Sequence, residues 1–190
     1  LVLTSGKSHI INFEENEKNS IGHLTLENNV VIQNNIHMGI LDSNGHDMTV
    51  KGNMISSGDV DLDGGTLLIN GTMNHCSGTI RLNGGKLNIT ENYLCVGADS
   101  NFAPGKENIT QSDAELKMTY AADEMRVGGD FLMNSRHANQ ELTAGTLYVG
   151  GDFTQLNNYG SGSGYNFSPG EKHKMVLNGT GTQTISFESD

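Results

Sequence analysis

Apolar and polar residues alternate over short stretches of this chain. In residues 59–63, Val60 and Leu62 are separated by aspartates, and residues 79–83 repeat the same alternation twenty positions later. A period of two puts apolar side chains on one face of a strand and polar side chains on the other. The pattern therefore predicts short, half-buried β-strands, and no stretch shows the 3.6-residue period of an amphipathic helix.

A repeat of about nineteen residues relates these strands to one another. Its marker is a short polar or glycine-containing pair followed by a large apolar residue. The marker occurs at Asn34-Asn35-Ile36, Gly52-Asn53-Met54, Gly71-Thr72-Met73, Glu91-Asn92-Tyr93, Gly129-Asp130-Phe131 and Gly151-Asp152-Phe153. Self-similarity at such a period predicts stacked units that bury their apolar faces against their neighbours.

We predict an all-β fold: a right-handed parallel β-helix (a β-solenoid) with coils of about 19 residues, forming one domain over residues 1–190. A β-sandwich or a meander also joins short strands through glycine corners. The facing strands of a sandwich need not match in sequence. In a β-helix equivalent positions stack directly, so residue types recur at one offset, as Leu67 and Ile69 recur at Leu87 and Ile89.

Two insertions interrupt the repeat, at residues 97–115 and 155–172. Each contains the sequence Asn-Phe-x-Pro-Gly and follows the same point of a coil, so we expect both to leave the rod at the same corner. Loops on a regular scaffold often carry binding residues. The candidate ligand-binding residues are the aromatic ones: Phe102, Tyr159, Tyr165 and Phe167. The alternative is that each Pro-Gly is a turn and each Phe folds back over the coil as a plug.

The two ends of the chain match at a constant offset of 174 residues. The matched residues are Val2-Leu3, Ile11 and Phe13-Glu14 with Val176-Leu177, Ile185 and Phe187-Glu188. We interpret the chain as one module of a longer array, so neighbouring modules of the same chain are expected partners. The alternative is that any two coils of a β-helix look alike.

The composition excludes two classes of partner. The chain has 22 acidic and 11 basic residues, a net charge of −11. Nucleic acids and anionic membrane surfaces bind concentrated positive charge, so neither is expected here. No apolar run approaches the roughly 20 residues of a membrane span, and we expect no membrane insertion. The chain starts at Leu1 and shows no signal peptide, which we interpret as a piece of a longer protein.

No motif for catalysis, for a cofactor or for a metal stands out. The chain has no G-x-S-x-G, Walker, dinucleotide or H-E-x-x-H motif, so we expect no enzyme activity and no cofactor. Residues 59–64 match the start of a calcium loop, but the twelfth position is Asn70 rather than a bidentate acid. The alternation explains the aspartates as the solvent face of a strand, with Arg81 beside Asp61 one coil later.

The two cysteines are nineteen residues apart, which is one coil. On adjacent rungs the Cα atoms of Cys76 and Cys95 are expected about 5 Å apart, a distance that a disulfide spans. An exported protein would permit that bond. Two buried free thiols fit the same spacing equally well.

The glycine-cornered units resemble the repeats of large secreted bacterial β-helix proteins. The unit Gly-Thr-Leu-Tyr-Val-Gly-Gly-Asp-Phe-Thr-Gln at 145–155 carries this resemblance. Filamentous-haemagglutinin-type adhesins and contact-dependent toxin stalks are the nearest comparison. The resemblance implies a non-catalytic stalk or adhesive segment of a large exported bacterial protein, secreted or at the cell surface. It also implies a receptor on a host cell or another bacterium as a partner.

Three other functions are alternatives to a stalk. A polysaccharide-acting enzyme of the parallel β-helix type would use the acidic strand at 59–63 together with Arg81. Specific binding of a glycan or a protein would use the loop at 156–170. Ice binding would need regular ladders of threonine, and the chain offers one short run at Thr180, Thr182 and Thr184.

Overall fold

This computed structural model describes residues 1–3, 6–13, 19–97, 109–136, 141–156, 167–170 and 172–188. Those residues are all-β and contain no helix, so none of their segments is a helix able to cross a membrane. The strands are β1 Val2–Leu3, β2 His9–Ile11, β3 Ser20–Leu26, β4 Val30–Ile32, β5 Ile36–Asp42, β6 Met48–Val50, β7 Met54–Ser56, β8 Val60–Asp61, β9 Thr66–Ile69, β10 Met73–His75, β11 Ser77–Arg81, β12 Lys86–Ile89, β13 Tyr93–Cys95, β14 Asp113–Met118, β15 Glu124–Val127, β16 Phe131–Met133, β17 Glu141–Leu142, β18 Thr146–Val149, β19 Phe153–Gln155, β20 Lys174–Leu177 and β21 Ile185–Phe187.

The strands form two parallel sheets. The 8-stranded sheet has the order β2-β4-β6-β9-β12-β15-β18-β20. The 13-stranded sheet has the order β17-β14-β11-β8-β5-β7-β10-β13-β16-β19-β21, with β3 beside β5 and β1 beside β3. Each of the strand pairs is parallel. The predicted all-β fold with parallel strands is therefore confirmed.

The 13-stranded sheet has two arms that meet at the long strand β5. The first half of β5 pairs with β7, where Ile36 lies beside Met54. The second half pairs with β8, where Leu41 lies beside Val60. We call β7, β10, β13, β16, β19 and β21 the first arm, and β8, β11, β14 and β17 the second arm. The chain therefore visits the 8-stranded sheet, the first arm and the second arm in turn.

The register of the 8-stranded sheet carries the predicted repeat. Leu67 lies beside Leu87, twenty positions on, and Met125 lies beside Leu147, twenty-two positions on. Two steps are longer: 38 residues from Leu87 to Met125 and 28 from Leu147 to Met175. Each of these steps contains one of the predicted insertions, so the alternation keeps its register across both.

Both predicted insertions lie between the first arm and the second. Residues 96–112 separate β13 from β14, and β14 begins at Asp113, inside the predicted insertion 97–115. Residues 156–168 separate β19 from Pro169, which forms an isolated parallel bridge with Leu142 of the second arm. The described strands thus put both departures at the same corner of the fold.

The 174-residue match does not join equivalent positions of the fold. β1, which holds Val2, lies in the 13-stranded sheet, whereas Val176 lies in β20 of the 8-stranded sheet. β2, which holds Ile11, lies in the 8-stranded sheet, whereas β21, which holds Ile185, lies in the 13-stranded sheet. The matched residues therefore differ in sheet, and the longer array stays a prediction that this internal match does not support.

The apolar residues of the repeat marker form one stacked column in the core. Met54, Met73, Tyr93, Phe131 and Phe153 pair in register along the first arm, and all five are buried. The ring centroids of Tyr93 and Phe131 are 5.0 Å apart, and those of Phe131 and Phe153 are 5.3 Å apart. Offset rings at such distances contribute roughly 0.5–1.5 kcal/mol per pair beyond their buried area. The aromatic residues of the marker therefore strengthen the column at its C-terminal half.

The polar residue of the marker bonds each unit to the next. The side-chain carbonyl of Asn35 accepts the backbone N–H of Asn53 at 2.8 Å, and Asn53 accepts the N–H of Thr72 at 2.8 Å. The same bond runs from Asn92 through Asp130 to Asp152, again at 2.8 Å in each step. We call this series the Asx ladder. It satisfies backbone donors at the corner where the chain leaves the 8-stranded sheet.

Glycine precedes the polar residue because the Asx ladder leaves no room for a Cβ atom. A Cβ on Gly71 would lie 2.3 Å from Oδ1 of Asn53, and one on Gly151 would lie 2.2 Å from Oδ1 of Asp130. In one unit, Glu91 occupies the position that is glycine in its neighbours. The preceding unit has Thr72 in place of an Asx residue, so no Asx side chain fills the space beside Glu91. There the Thr72 hydroxyl donates to Glu91 Oε2 at 3.0 Å.

Candidate functional site

An open groove of about 690 Å³ lies on the outer face of the 8-stranded sheet. It crosses β12, β15 and β18, and the segment that follows β20 lies at one end. The polar side chains that matter for its chemistry are Lys86, Asn88, Glu124, Arg126, Tyr148 and Thr180. The repeat pattern of the chain did not predict this groove.

Strand alternation explains why these side chains face outward. Leu87 and Ile89 are buried in the core, so their neighbours in β12 point to the opposite face. Parallel register then builds two outer columns. Lys86 lies beside Glu124, and Asn88 lies beside Arg126, which in turn lies beside Tyr148. The groove is therefore assembled from four successive units of the chain, which contribute β9, β12, β15 and β18.

Arg126 is held rigidly between its two neighbours. Its Nε donates to Glu124 Oε1 at 2.9 Å, and a second guanidinium nitrogen donates to Oε2 at 3.1 Å. Its Cζ lies 3.9 Å from the centroid of the Tyr148 ring. The bonds to Arg126 lower the pKa of Glu124, and the same bonds raise the pKa of Arg126. The groove therefore presents a fixed, planar cation at its surface.

Asn88 has a buried carbonyl oxygen that no described residue satisfies. Oδ1 of Asn88 is inaccessible to solvent and has no hydrogen-bond partner in the described part of the chain. Its neighbour on one side is Leu68, which has no donor to give. Its neighbour on the other side is Arg126, whose guanidinium bonds to Glu124. A buried acceptor without a donor costs roughly 1–3 kcal/mol.

The acidic strand at 59–63 is a charge-paired surface. Nη1 of Arg81 lies 3.1 Å from Asp59 Oδ2 and 3.4 Å from Asp61 Oδ1. The hydrogen bond from the backbone N–H of Thr79 lowers the pKa of Asp59, and Arg81 lowers it further. Burial raises the pKa of Asp61. Asp61 and Arg81 are register partners, so the predicted cross-coil pair is confirmed.

Phe167 is the one candidate ligand-binding residue that the structure describes. Its ring lies edge-on to Phe153 and Phe131, with centroid distances of 4.9 Å and 6.0 Å. Its backbone N–H donates to Gln155 Oε1 at 3.0 Å. This packing against the core matches the alternative in which the Phe folds back as a plug. The other candidates, Phe102, Tyr159 and Tyr165, lie outside the described residues.

The two cysteines are buried free thiols, one of the two alternatives left open by their spacing. Between β10 and β13 the register step is twenty residues, as Met73 lies beside Tyr93. This step puts Cys95 level with His75 rather than with Cys76. Cys95 Sγ lies 3.2 Å from the Ser112 hydroxyl instead.

We expect Cys95 to resist thiol reagents in the folded protein. Burial raises its pKa to about 11, so the thiolate that reacts is scarce at pH 8. Labelling of the Cys76→Ser variant with a chromogenic disulfide should be at least about 100-fold slower in buffer than in urea. Labelling of the Cys95→Ser variant serves as the comparison for Cys76. Detection of a disulfide between Cys76 and Cys95 after wild-type protein is unfolded without reductant would contradict the assignment of free thiols.

Among the described residues, no group of three or more His, Cys, Asp or Glu side chains has the geometry of a metal site. No protein-family model, no curated protein and no solved structure matches this chain.

Proposed function

We propose that this chain is a non-catalytic, right-handed parallel β-helix segment that serves as a rigid shaft of a large exported bacterial surface protein. One observation carries the proposal: three series of parallel strands keep the same register from unit to unit. Leu67 and Leu87 illustrate it in the 8-stranded sheet, and Ile80 and Leu116 in the second arm. A stack of interchangeable units is typical of a solenoid.

The contacts between units account for stiffness. Backbone ladders, the Asx ladder and the column of Tyr93, Phe131 and Phe153 all run from unit to unit. Bending the stack would break several of these contacts at once, because packed interiors deform little. The net charge of −11 opposes association between neighbouring shafts.

The charge pairs of the second arm favour a scaffold over a polysaccharide-acting enzyme. Arg81 is already bonded to Asp59 and Asp61, and Lys117 lies between Glu115 and Glu141 at 3.6 Å and 3.0 Å. A cation beside a carboxylate favours its charged form, which makes the group a poorer proton donor. The exported location and the adhesive role rest on the resemblance of the repeat units.

Deleting one whole unit tests the shaft directly. Removal of residues 66–85 brings Leu87 to Met48 and Lys117 to Asp61, which keeps the core and the charge pairs in register. We expect the variant to fold cooperatively, with a β-sheet circular dichroism spectrum and a length shorter by about 4.8 Å in X-ray scattering. In the parent protein, surface binding should persist.

A deletion of half a unit is the matched control. Removing residues 66–75 deletes β9 and β10 and joins β8 directly to β11, so that β11 of the second arm follows where a strand of the 8-stranded sheet should come. This deletion should abolish cooperative unfolding. If the whole-unit deletion unfolds as readily as the half-unit deletion, the units are not interchangeable and the shaft proposal is wrong. Loss of surface binding by a folded whole-unit variant of the parent protein would also contradict a purely mechanical role.

A further inference from the structure

We infer that the groove on the 8-stranded sheet is a binding site for an acidic oligosaccharide, a sugar chain that carries carboxylates. This inference goes beyond the shaft, which needs no ligand. It rests on the charge of the groove and on the placement of Arg126 between Glu124 and the Tyr148 ring.

The groove is a cationic spot on an acidic protein. Its lining holds Lys86 and Arg126 against the single carboxylate of Glu124. Lys174 extends the outer column that runs through Lys86, because it lies beside Thr146, the neighbour of Glu124. The chain as a whole has a net charge of −11. An anionic ligand therefore meets attraction in the groove and repulsion over most of the remaining surface.

The groove presents hydrogen-bond donors that need acceptors. A guanidinium has five N–H groups, and Glu124 takes two of those of Arg126. The remaining N–H groups and the ammonium of Lys86 are donors for further acceptors. A sugar chain offers hydroxyl oxygens along its whole length, and its carboxylates are acceptors for Arg and Lys. A carboxylated oligosaccharide thus provides acceptors for both cations with one repeating chemistry.

The geometry suits an extended chain. From Leu68 across Asn88 and Arg126 to Tyr148 the groove spans three strand spacings, about 14 Å. Arg126 is oriented in advance by Glu124 on one side and by the Tyr148 ring on the other. A side chain that is already ordered loses little conformational entropy when a ligand binds.

Calorimetric titration of the purified chain tests the inference. The probes are tetragalacturonate, its fully methyl-esterified neutral form, a sulfated heparin tetrasaccharide and a tetraglutamate peptide. We expect saturable binding of tetragalacturonate that weakens as salt rises. The neutral ester should bind at least about tenfold more weakly. Binding of the sulfated probe as well would widen the class to acidic sugars in general and still support the site.

Two arginine variants locate the site. Arg126→Gln should weaken tetragalacturonate binding at least about tenfold. Arg136→Gln is the matched control: Arg136 has a half-exposed side chain, pairs with Asp113 at 3.8 Å and follows the first arm, outside the groove lining. It should leave the affinity unchanged. Lys86→Gln provides a second variant of the groove.

Several outcomes would overturn the inference. One is the absence of saturable binding of both acidic sugars up to about 5 mM. Others are equal affinities for tetragalacturonate and its neutral ester, equal losses in the Arg126→Gln and Arg136→Gln variants, and a tetraglutamate peptide that binds as tightly as the sugars. Thermal unfolding of each variant verifies that a lost affinity is not a lost fold.

Discussion

Replacing Gly78 with alanine is expected to reduce the free energy of unfolding by roughly 3–5 kcal/mol. Gly78 has a φ of 80°, and a Cβ atom there would lie 2.3 Å from the carbonyl carbon of Gly58. Gly58 in turn lies against Gly39, so three backbones stack where the first arm meets the second. Backbone atoms cannot rotate away as a side chain can, so the unit must shift.

Gly84→Ala is the matched control for this prediction. Gly84 has a nearly equal φ of 86°, but no atom lies within 4 Å of the position of its Cβ. Its cost is therefore the backbone strain alone, about 1 kcal/mol. Urea unfolding followed by circular dichroism measures both variants under the same conditions. Equal losses at the two positions would mean that positive φ, and not the close stacking of glycines, limits the fold.

The sequence was sufficient to predict the strands and the stacking between units. Alternation identified Val60 and Leu62 as buried, and the fixed offset identified Leu67 and Leu87 as register partners. The pairing of Arg81 with Asp61 followed from the same offset. These predictions depend only on side-chain period and on repetition, which are properties of the chain itself.

The groove was not predicted, because its residues are separated by insertions. Asn88 and Arg126 are register partners 38 residues apart, twice the period of the repeat. The spacing of the cysteines left a disulfide and free thiols open as alternatives for a related reason: the local step is twenty residues instead of nineteen, which places Cys95 level with His75 and not with Cys76. A signal for the groove does exist in the alternation: Lys86, Asn88, Glu124 and Arg126 are the outward positions of two strands with inward Leu, Ile, Met and Val.

A buried polar chain crosses the core beside the stacked aromatic residues. His75 is fully buried; its Nε2–H donates to the Gly78 carbonyl at 3.1 Å. Since a carbonyl can only accept, Nδ1 carries no proton and accepts the Tyr93 hydroxyl at 2.9 Å. Cys95 and Ser112 continue the chain on the far side of Tyr93. The arrangement satisfies a neutral imidazole, and a second ring proton on Nδ1 would displace the hydrogen bond that the Tyr93 hydroxyl donates there.

Acid is therefore expected to destabilise the protein through His75. Burial lowers its pKa to about 4, whereas an unfolded histidine titrates near 6.5, so the unfolded state binds the proton first. The contribution of neutral His75 to the free energy of unfolding is fully present above pH 6.5. It falls by about 1.4 kcal/mol per pH unit between about pH 6 and 4.5, and the total loss at pH 4 is about 3 kcal/mol. Urea unfolding at a series of pH values measures this slope.

The His75→Gln variant isolates this contribution, because glutamine can still donate to Gly78 and accept from Tyr93 but does not titrate. The variant should lose the slope that His75 supplies, while His23→Gln, a change at an exposed histidine, should keep it. Burial also lowers the pKa of His173, which leaves a smaller slope of the same sign in both variants. An NMR titration of His75 in the wild-type protein gives a second reading that does not depend on the variant. A pKa near 6.5 for the folded imidazole, with wild-type and His75→Gln slopes equal, would mean that protons reach His75 without unfolding the core.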